Sequence, residues 1–410
     1  MASRRVVVAG AGLAGLRTVE QLRARGFAGD ITLIGAETRP PYDRPPLSKK
    51  VMAGVIDDTS LPFDPGALGI TARLGEAACA LEDGVLRTST GDTSTGDTST
   101  GDTSTGGAYP YDALVLATGS EPVRLPGPGA QRTLRTLDDA LALRALLRPG
   151  LRLAIAGAGL IGAELATAAV AAGAQVTVVE YAPAPMLAAV GPDIAAVMAR
   201  WYADAGVDLR LATGVSSVQD GGLALAGGSW LAADEVVTAI GARPRLDWLD
   251  GSGVHTETCV LTTERLETSA PGVFAVGDCA AYLSGRYGRR LRFEHWDIAL
   301  HAPEVAAANV LGGSEVFDPV PYFWTEQFGR MVQYAGLHSP SDRLVWRGDP
   351  AEAKFGAFWL DAGGRLTALL AVGVPKDVVQ ARRLLAGRAA VDADALADPS
   401  VQVRAAALAG

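Results

Sequence analysis

The sequence predicts an α/β fold with two Rossmann-like dinucleotide-binding units and a small α+β C-terminal domain. Three observations predict it. A short β-branched run, Arg5-Val6-Val7-Val8-Ala9, leads into Gly10-Ala11-Gly12-Leu13-Ala14-Gly15 and then into an apolar helix face. The same succession returns over residues 151–172. Beyond about residue 320 the texture changes to short strand-like runs with one helical end.

Each element follows from its pattern. Residues 6–9 are continuously apolar, as a parallel strand covered on both faces must be. Leu13, Leu16, Val19 and Leu22 recur at three-residue steps and form one helix face. Gly26 lies beyond that helix, and Asp30-Ile31-Thr32-Leu33-Ile34 is the next strand. Residues 84–87 and 109–116 read as strands flanking the repeat Thr-Ser-Thr-Gly-Asp, whose four near-identical units run from Thr88 to Gly107. Units without apolar residues cannot build a core, so the repeat is expected as an exposed, mobile, expanded hairpin loop. It lacks the Gly-Gly-x-Gly-x-Asp spacing of calcium repeats. In the second unit, 151–156 is a strand, Gly157-Ala158-Gly159-Leu160-Ile161-Gly162 the turn, and an Ala/Leu-rich helix runs to about Ala172; 175–180 is the following strand. Strands are expected at 330–336, 343–346, 354–360 and 366–372, and a helix at 375–386, after an opening Pro321-Tyr322-Phe323-Trp324.

Composition narrows the function. The 410 residues are enough for roughly two to four domains, and 49% hydrophobic residues are ample for their cores. A net charge of −9 argues against a general nucleic-acid binder, which needs clustered cations. The three cysteines, Cys79, Cys259 and Cys279, form no Cys-x-x-Cys pair, so neither a zinc site nor a dithiol centre is expected from neighbouring cysteines. Four histidines without paired spacing make a histidine metal site unexpected. The start Met1-Ala2-Ser3-Arg4-Arg5 before an apolar run resembles a signal peptide, but the glycine spacing favours a strand and turn. No run of about 18 uncharged apolar residues is present, so no membrane span is expected and a reducing cytoplasm is the expected compartment.

The glycine turns carry the chemistry. In Gly-x-Gly-x-x-Gly between a strand and a helix, the first glycine permits the tight turn, the second lets the backbone approach a pyrophosphate, and the third lets helix and strand pack. The helix N-terminus offers unpaired N–H groups to the phosphates. Gly10, Gly12, Leu13, Ala14 and Gly15 make one such site; Gly157, Gly159, Leu160, Ile161 and Gly162 make the other. An acid ending the next strand suits a ribose diol. Glu180 holds that place in the second copy, and 181–186 contains no Arg or Lys for a 2′-phosphate, which favours NADH over NADPH. In the first copy Ala36 stands at the expected place and Glu37, one step late, is the acid expected to reach the ribose of the cofactor there. Glu164 sits in an otherwise apolar helix start, where it either complements the helix dipole or pairs with a buried cation.

Arg39-Pro40-Pro41-Tyr42-Asp43-Arg44-Pro45-Pro46-Leu47-Ser48-Lys49 resembles the flavin-side signature of oxygenase-coupled ferredoxin reductases, a family that includes putidaredoxin-reductase-like, rubredoxin-reductase-like and apoptosis-inducing-factor-like flavoproteins. Thr268-Ser269-Ala270-Pro271-Gly272-Val273-Phe274-Ala275-Val276-Gly277-Asp278 resembles its ribityl-binding strand. Ala117-Thr118-Gly119, Ala239-Ile240-Gly241-Ala242-Arg243-Pro244, Glu294-His295-Trp296 and Pro321-Tyr322-Phe323-Trp324-Thr325-Glu326-Gln327 match in family order. The resemblance implies a glutathione-reductase-like FAD protein with an FAD domain (1–119 and 246–319), an inserted NADH domain (120–245) and a C-terminal domain (320–410). It implies Arg44 and Lys49 on the FAD phosphates and flavin, Asp278 on the ribityl chain, and His295 and Trp296 beside the isoalloxazine. It also implies Ala78, Thr118, Gly119 and Arg124 in the cofactor sites, Trp324 near the flavin, and Gly241 and Glu294 near the nicotinamide. The family pairs Glu164 with Lys49, so Lys49, Glu164 and Trp324 are the expected catalytic group.

The expected function is electron transfer from NADH through FAD to a [2Fe-2S]-type ferredoxin that serves a cytochrome P450 or a dioxygenase. Arg286, Arg289, Arg290 and Arg292 crowd one short segment and are expected to dock that acidic partner. Nucleic acid and membrane are not expected as partners, and the chain is expected as a monomer or weak dimer. Two alternatives stay open: an NADH oxidase or small-acceptor flavin reductase, and a slow NADH-sensing flavoprotein.

Overall fold

The computed structural model describes residues 3–90 and 106–408. Contacts divide the chain into two units: Met1–Asp43, Thr59–Glu121 and Ala242–Asp318 form the first, and Arg44–Asp58, Pro122–Gly241 and Pro319–Gly410 the second.

The first unit is built on five parallel strands in the order Val273–Ala275, Ala113–Leu116, Arg5–Ala9, Asp30–Gly35 and Thr71–Leu74. Val8 lies opposite both Leu33 and Val115 and is fully buried, which explains why the strand reads as continuous rather than alternating. The helix Leu13–Ala24 buries Leu16, Val19 and Leu22 and packs along Trp296–Val310. The strands Glu76–Glu82, Val85–Thr90 and Ala108–Pro110 form an antiparallel sheet, with Leu86 opposite Tyr109. The flanks of the repeat therefore pair as a hairpin requires; the expected loop itself, 91–105, lies outside the described residues.

The second unit holds four parallel strands in the order Asp208–Arg210, Gln175–Val179, Arg152–Ala156 and Glu235–Thr238. The helix Leu160–Ala171 follows the glycine turn, and Leu187–Asp204 is kinked at Gly191 and Pro192. The C-terminal region is an antiparallel sheet in the order Tyr322–Gln327, Arg330–Gly336, Leu366–Val372, Phe355–Leu360 and Arg343–Arg347, followed by the helix Pro375–Ala386. Val190, Ile194, Met198 and Trp201 pack into this sheet against Phe323, Tyr334, Phe355 and Leu370. The buried Arg347 ties down the last turns: it pairs with Asp377 at 2.8 Å and donates to the carbonyls of Leu396, Asp398, Pro399 and Val401.

The two nucleotide-binding units and the α+β C-terminal region are those the sequence predicts, and four C-terminal strands fall within a residue of their expected bounds. Tyr322–Gln327 was expected only as an opening segment. Its buried side is Phe323, Thr325 and Gln327, and two polar residues at buried positions mask the period-two pattern of a strand.

Candidate functional site

Each glycine turn separates into positions the fold needs and one it does not. A Cβ on Gly10 would sit 2.1 Å from the Ala117 carbonyl oxygen, and one on Gly15 would sit 1.8 Å from that of Gly10. In the second copy, a Cβ on Gly157 would sit 2.3 Å from the Ala239 oxygen, and one on Gly162 would sit 2.0 Å from that of Gly157. Gly10 and Gly157 also take positive φ, +117° and +103°. At Gly12 and Gly159 a Cβ would meet nothing within 4 Å. The protein's own packing gives no reason for glycine there; a ligand drawn close to the backbone does. Both helices start without a side-chain cap, as do Leu187–Asp204, Trp296–Val310 and Pro375–Ala386. With the open space at Gly12 and Gly159 beside them, the first-turn N–H groups at the two glycine turns can serve an anion. These cradles fit two dinucleotide pyrophosphates.

The two copies differ at the acid. Glu180 Oε2 accepts from the Ala158 amide at 2.7 Å and Oε1 from the Ala182 amide at 2.8 Å, which fixes the carboxylate beside the turn with lone pairs still open to hydroxyl donors. In the first copy Ile34 pairs with Ala9 as Val179 pairs with Ala156, so strand register puts Gly35 in the place of Glu180. Glu37 is thus two residues beyond that place rather than one beyond Ala36, and it accepts from the Tyr42 hydroxyl at 2.6 Å. The cause is steric: a Cβ at Gly35 would sit 2.5 Å from that of Ala11.

Three of the remaining predicted residues of the first unit follow the carboxyl ends of its parallel strands, where α/β sheets take their ligands. Thr118 and Gly119 follow the strand Ala113–Leu116, and Asp278 follows Val273–Ala275. The Ser120 hydroxyl donates to Asp278 Oδ2 at 3.4 Å. Cys279 is buried, its thiol donates to the Val276 carbonyl at 3.3 Å, and burial pushes its pKa up, as suits a residue that fills space. His295 precedes the helix Trp296–Val310 and stacks on Phe293. Burial lowers its pKa to about 4, opposed by the Asp278 charge. Trp296 Nε1 donates to Asp43 Oδ1 at 2.6 Å, and burial raises the Asp43 pKa despite that bond and the Arg17 charge. Glu294 pairs with Arg292. Ala78 is half-buried opposite Thr88, beside a bulge.

In the second unit the expected Lys49–Glu164 pair is present. Lys49 lies in a π-helical turn, Leu47–Val51, closed by Val51 N to Pro46 O (3.0 Å) and Met52 N to Leu47 O (3.2 Å). Its Nζ is 2.7 Å from Glu164 Oε2, with 14% of the lysine side chain and 2% of the glutamate exposed. A carboxylate so buried needs full satisfaction, and it has more partners than the sequence indicated. The Ser48 hydroxyl donates to Oε2, and the Thr325 hydroxyl donates to Oε1 at 2.6 Å. Ser48 and Thr325 were not singled out from the sequence; the only signal was a hydroxyl residue placed inside an aromatic strand and beside a lysine. Trp324 is half-buried on the other face of its strand and stacks on Tyr322. Arg44 donates to the Arg135 carbonyl and Arg124 to that of Gln131. Gly241 has φ +106° and open space at its Cβ position.

The four arginines of the expected cluster differ in their surroundings. Arg289 and Arg290 are exposed in the hairpin that pairs Ala280–Ser284 with Arg289–Leu291. Arg290 donates to the Thr262 carbonyl, and Arg292 to those of Asp278 (3.2 Å) and Ala242 (3.4 Å) besides pairing with Glu294. Arg286 is half-buried. Backbone carbonyls orient Arg290 and Arg292, and the side-chain bonds of Arg292 end on Glu294 as well, so Arg289 and Arg290 are the exposed members of the cluster.

Among the described residues no group of three or more His, Cys, Asp or Glu could hold a metal ion, and no helix is long and apolar enough to cross a membrane. Comparison with known proteins agrees with the two-turn architecture. Residues 4–302 match the family described as pyridine nucleotide-disulphide oxidoreductase, and 322–407 match a reductase C-terminal family. The chain is 34% identical over 415 residues to the anthranilate 1,2-dioxygenase system ferredoxin–NAD(+) reductase component of Burkholderia cepacia, covering 97% of this chain and 98% of that protein. It is 32% identical to putidaredoxin reductase of Pseudomonas putida, covering 98% and 96%. The crystal structure of the covalent putidaredoxin reductase–putidaredoxin complex matches with a TM-score of 0.89 at 31% identity, covering 98% of each chain. That of Fdr9 matches with a TM-score of 0.89 at 45% identity, covering 98% and 99%.

Proposed function

We propose that this chain, which belongs to the pyridine nucleotide-disulphide oxidoreductase family and carries its reductase C-terminal domain, is an NADH-dependent ferredoxin reductase serving a cytochrome P450 or dioxygenase. Its cofactors are FAD and NAD(H). The observation that carries the reading is the pair of uncapped glycine turns with open space at Gly12 and Gly159. When bound, FAD accepts a hydride from NADH and releases electrons singly to an iron–sulfur acceptor.

The chain's own residues have these parts in the reading. The turns at Gly10–Gly15 and Gly157–Gly162 bind the FAD and NADH pyrophosphates, within domains bounded at 1–119 with 246–319, 120–245 and 320–410. Glu180, pinned by two amides, accepts from the adenosine ribose, and a 2′-phosphate would meet its charge. Asp278 accepts from the ribityl hydroxyls; His295, kept neutral by burial, and Trp296, anchored on Asp43, border the flavin. Glu164 holds the Lys49 ammonium in place for the flavin, and Trp324, Gly241 and Glu294 border the reacting rings. Ala78, Thr118, Gly119, Arg44 and Arg124 complete the cofactor contacts. The three cysteines are free and form no Cys-x-x-Cys pair, so the chain supplies no neighbouring dithiol to relay electrons. Free thiols also support a cytoplasmic location. Arg289 steers an acidic ferredoxin.

The test is stopped-flow reduction of the yellow protein by NADH and NADPH, followed by ferredoxin-dependent cytochrome c reduction and oxygen uptake. NADH preference with fast ferredoxin-dependent and slow oxygen turnover is expected. Fast oxygen turnover without ferredoxin would overturn the reading in favour of an oxidase, and an NADPH preference would overturn the role of Glu180.

A further inference from the structure

We propose that Thr325 is a positioning residue for Lys49, acting through Glu164 from the first strand of the C-terminal domain; the inference rests on the placement of Lys49 at the flavin given above. The two oxygens of Glu164 have separate tasks. Oε2 takes Lys49 at 2.7 Å and the Ser48 hydroxyl. Oε1 takes the Thr325 hydroxyl at 2.6 Å, and beyond it, among the described residues, a long contact from the Glu326 amide at 3.4 Å. The Thr325 hydroxyl is itself oriented. Gln327 Nε2 donates to Thr325 Oγ1 at 3.3 Å, which leaves the hydroxyl proton for the carboxylate.

The order Gln327, Thr325, Glu164, Lys49 is a single directed chain of donors and acceptors ending on an ammonium. Thr325 and Gln327 are buried on one face of the strand, and the half-buried Trp324 lies on the other. The same strand that carries the tryptophan expected at the flavin therefore also sets the carboxylate. Lys49 has one further acceptor, the Pro45 carbonyl at 3.3 Å, which is too long to hold the ammonium unaided. Without the Thr325 hydroxyl the Glu164 carboxylate keeps one weak donor on Oε1 and is free to turn about its terminal torsion, carrying Lys49 with it.

The test compares Thr325→Val, which keeps the shape and removes the hydroxyl, with Thr325→Ser, which restores it. Lys49→Met serves as the reference. The limiting rate of flavin reduction by NADH, the NADH concentration at half-rate and the flavin midpoint potential are measured in each holoprotein. Thr325→Val is expected to lower the limiting rate about tenfold, the equivalent of one hydrogen bond to a charged group, with the half-rate concentration nearly unchanged. Its midpoint potential should move in the direction seen for Lys49→Met, and Thr325→Ser should return both readouts close to wild type. A wild-type rate and potential in Thr325→Val, or a serine variant as impaired as the valine one, overturns the proposal while leaving the role of Lys49 intact. Unchanged readouts in Lys49→Met overturn the placement of Lys49 and this proposal with it. Should Thr325→Val not fold, Gln327→Met, which frees the hydroxyl to rotate, should give a smaller shift of the same sign; a wild-type potential there overturns the proposal.

Discussion

Gly159→Ala separates what the fold requires from what a nucleotide requires. Gly159 has φ −78° and ψ −168°, an extended conformation that alanine adopts freely, and its Cβ would meet nothing within 4 Å. Replacing glycine by alanine at a helix N-cap costs about 0.5–1 kcal/mol, and a stiffer unfolded chain returns about 0.4–1 kcal/mol. The stability of the variant should stay within about 0.5 kcal/mol of wild type. Gly162→Ala is the contrast, because its Cβ would lie 2.0 Å from the Gly157 oxygen, and it should lose about 3 kcal/mol or fail to fold. Binding responds in the opposite order. A methyl group at Gly159 holds the pyrophosphate off the helix N-terminus and breaks one or two hydrogen bonds to a charged group. At about 1.5–3 kcal/mol each, a loss of about 2–4 kcal/mol raises the NADH Kd roughly 30- to 1,000-fold. Urea unfolding measures the first quantity and the concentration dependence of flavin reduction the second. A Gly159→Ala protein that keeps wild-type stability and binds NADH as wild type does would refute the assignment of the open space to a pyrophosphate. One as unstable as Gly162→Ala would refute the packing argument.

Three further outcomes are expected. Burial holds the His295 pKa at about 4 against an ordinary 6.5; the unfolded chain takes up this proton first, so stability present above pH 6.5 is lost as pH falls toward 4. The loss is at most about 3 kcal/mol, and urea midpoints from pH 7.5 to 4.5 should fall less steeply in His295→Gln; equal slopes would show that His295 does not titrate in this window. Arg347→Ala leaves Asp377 and four carbonyls without their buried donor and should cost about 3 kcal/mol or more, read as early proteolysis of the last turns; unchanged proteolysis would count against the tie. Arg289→Glu should raise the KM for ferredoxin about three- to tenfold at low salt, an effect of about 1 kcal/mol, and spare ferricyanide reduction by NADH; equal loss of both activities would remove Arg289 from the docking surface.

The two nucleotide units were legible because their determinants are local. A buried parallel strand, a turn of spaced glycines and an apolar helix face are contiguous in sequence, and the clashes at Gly10, Gly15, Gly157 and Gly162 leave the backbone little choice. Glu180 was legible for the same reason, standing next to the strand that positions it. The offset of Glu37 was not, since it depends on the register of Ile34 against Ala9. The surroundings of the arginine cluster were not legible, because charge in a sequence carries no information about carbonyls elsewhere in the chain: Thr262 takes Arg290, and Ala242 and Asp278 take Arg292.

Glu164 shows where resemblance and physics meet. An acid in an apolar helix start must find partners, but a buried carboxylate has room for several donors, and one lysine fills only part of that need. The demand for the others was implicit in the burial of Glu164, and Ser48 and Thr325 supply it from segments about 115 and 160 residues away. A polar residue inside an apolar strand, as Thr325 is, marks a buried partner elsewhere more reliably than it marks the end of the strand. That inference applies equally to Gln327, whose side chain is buried and engaged with Thr325. The C-terminal strand thus carries both aromatic packing and a polar chain that ends on Lys49, a residue of the same contact unit although its motif lies far away in the sequence.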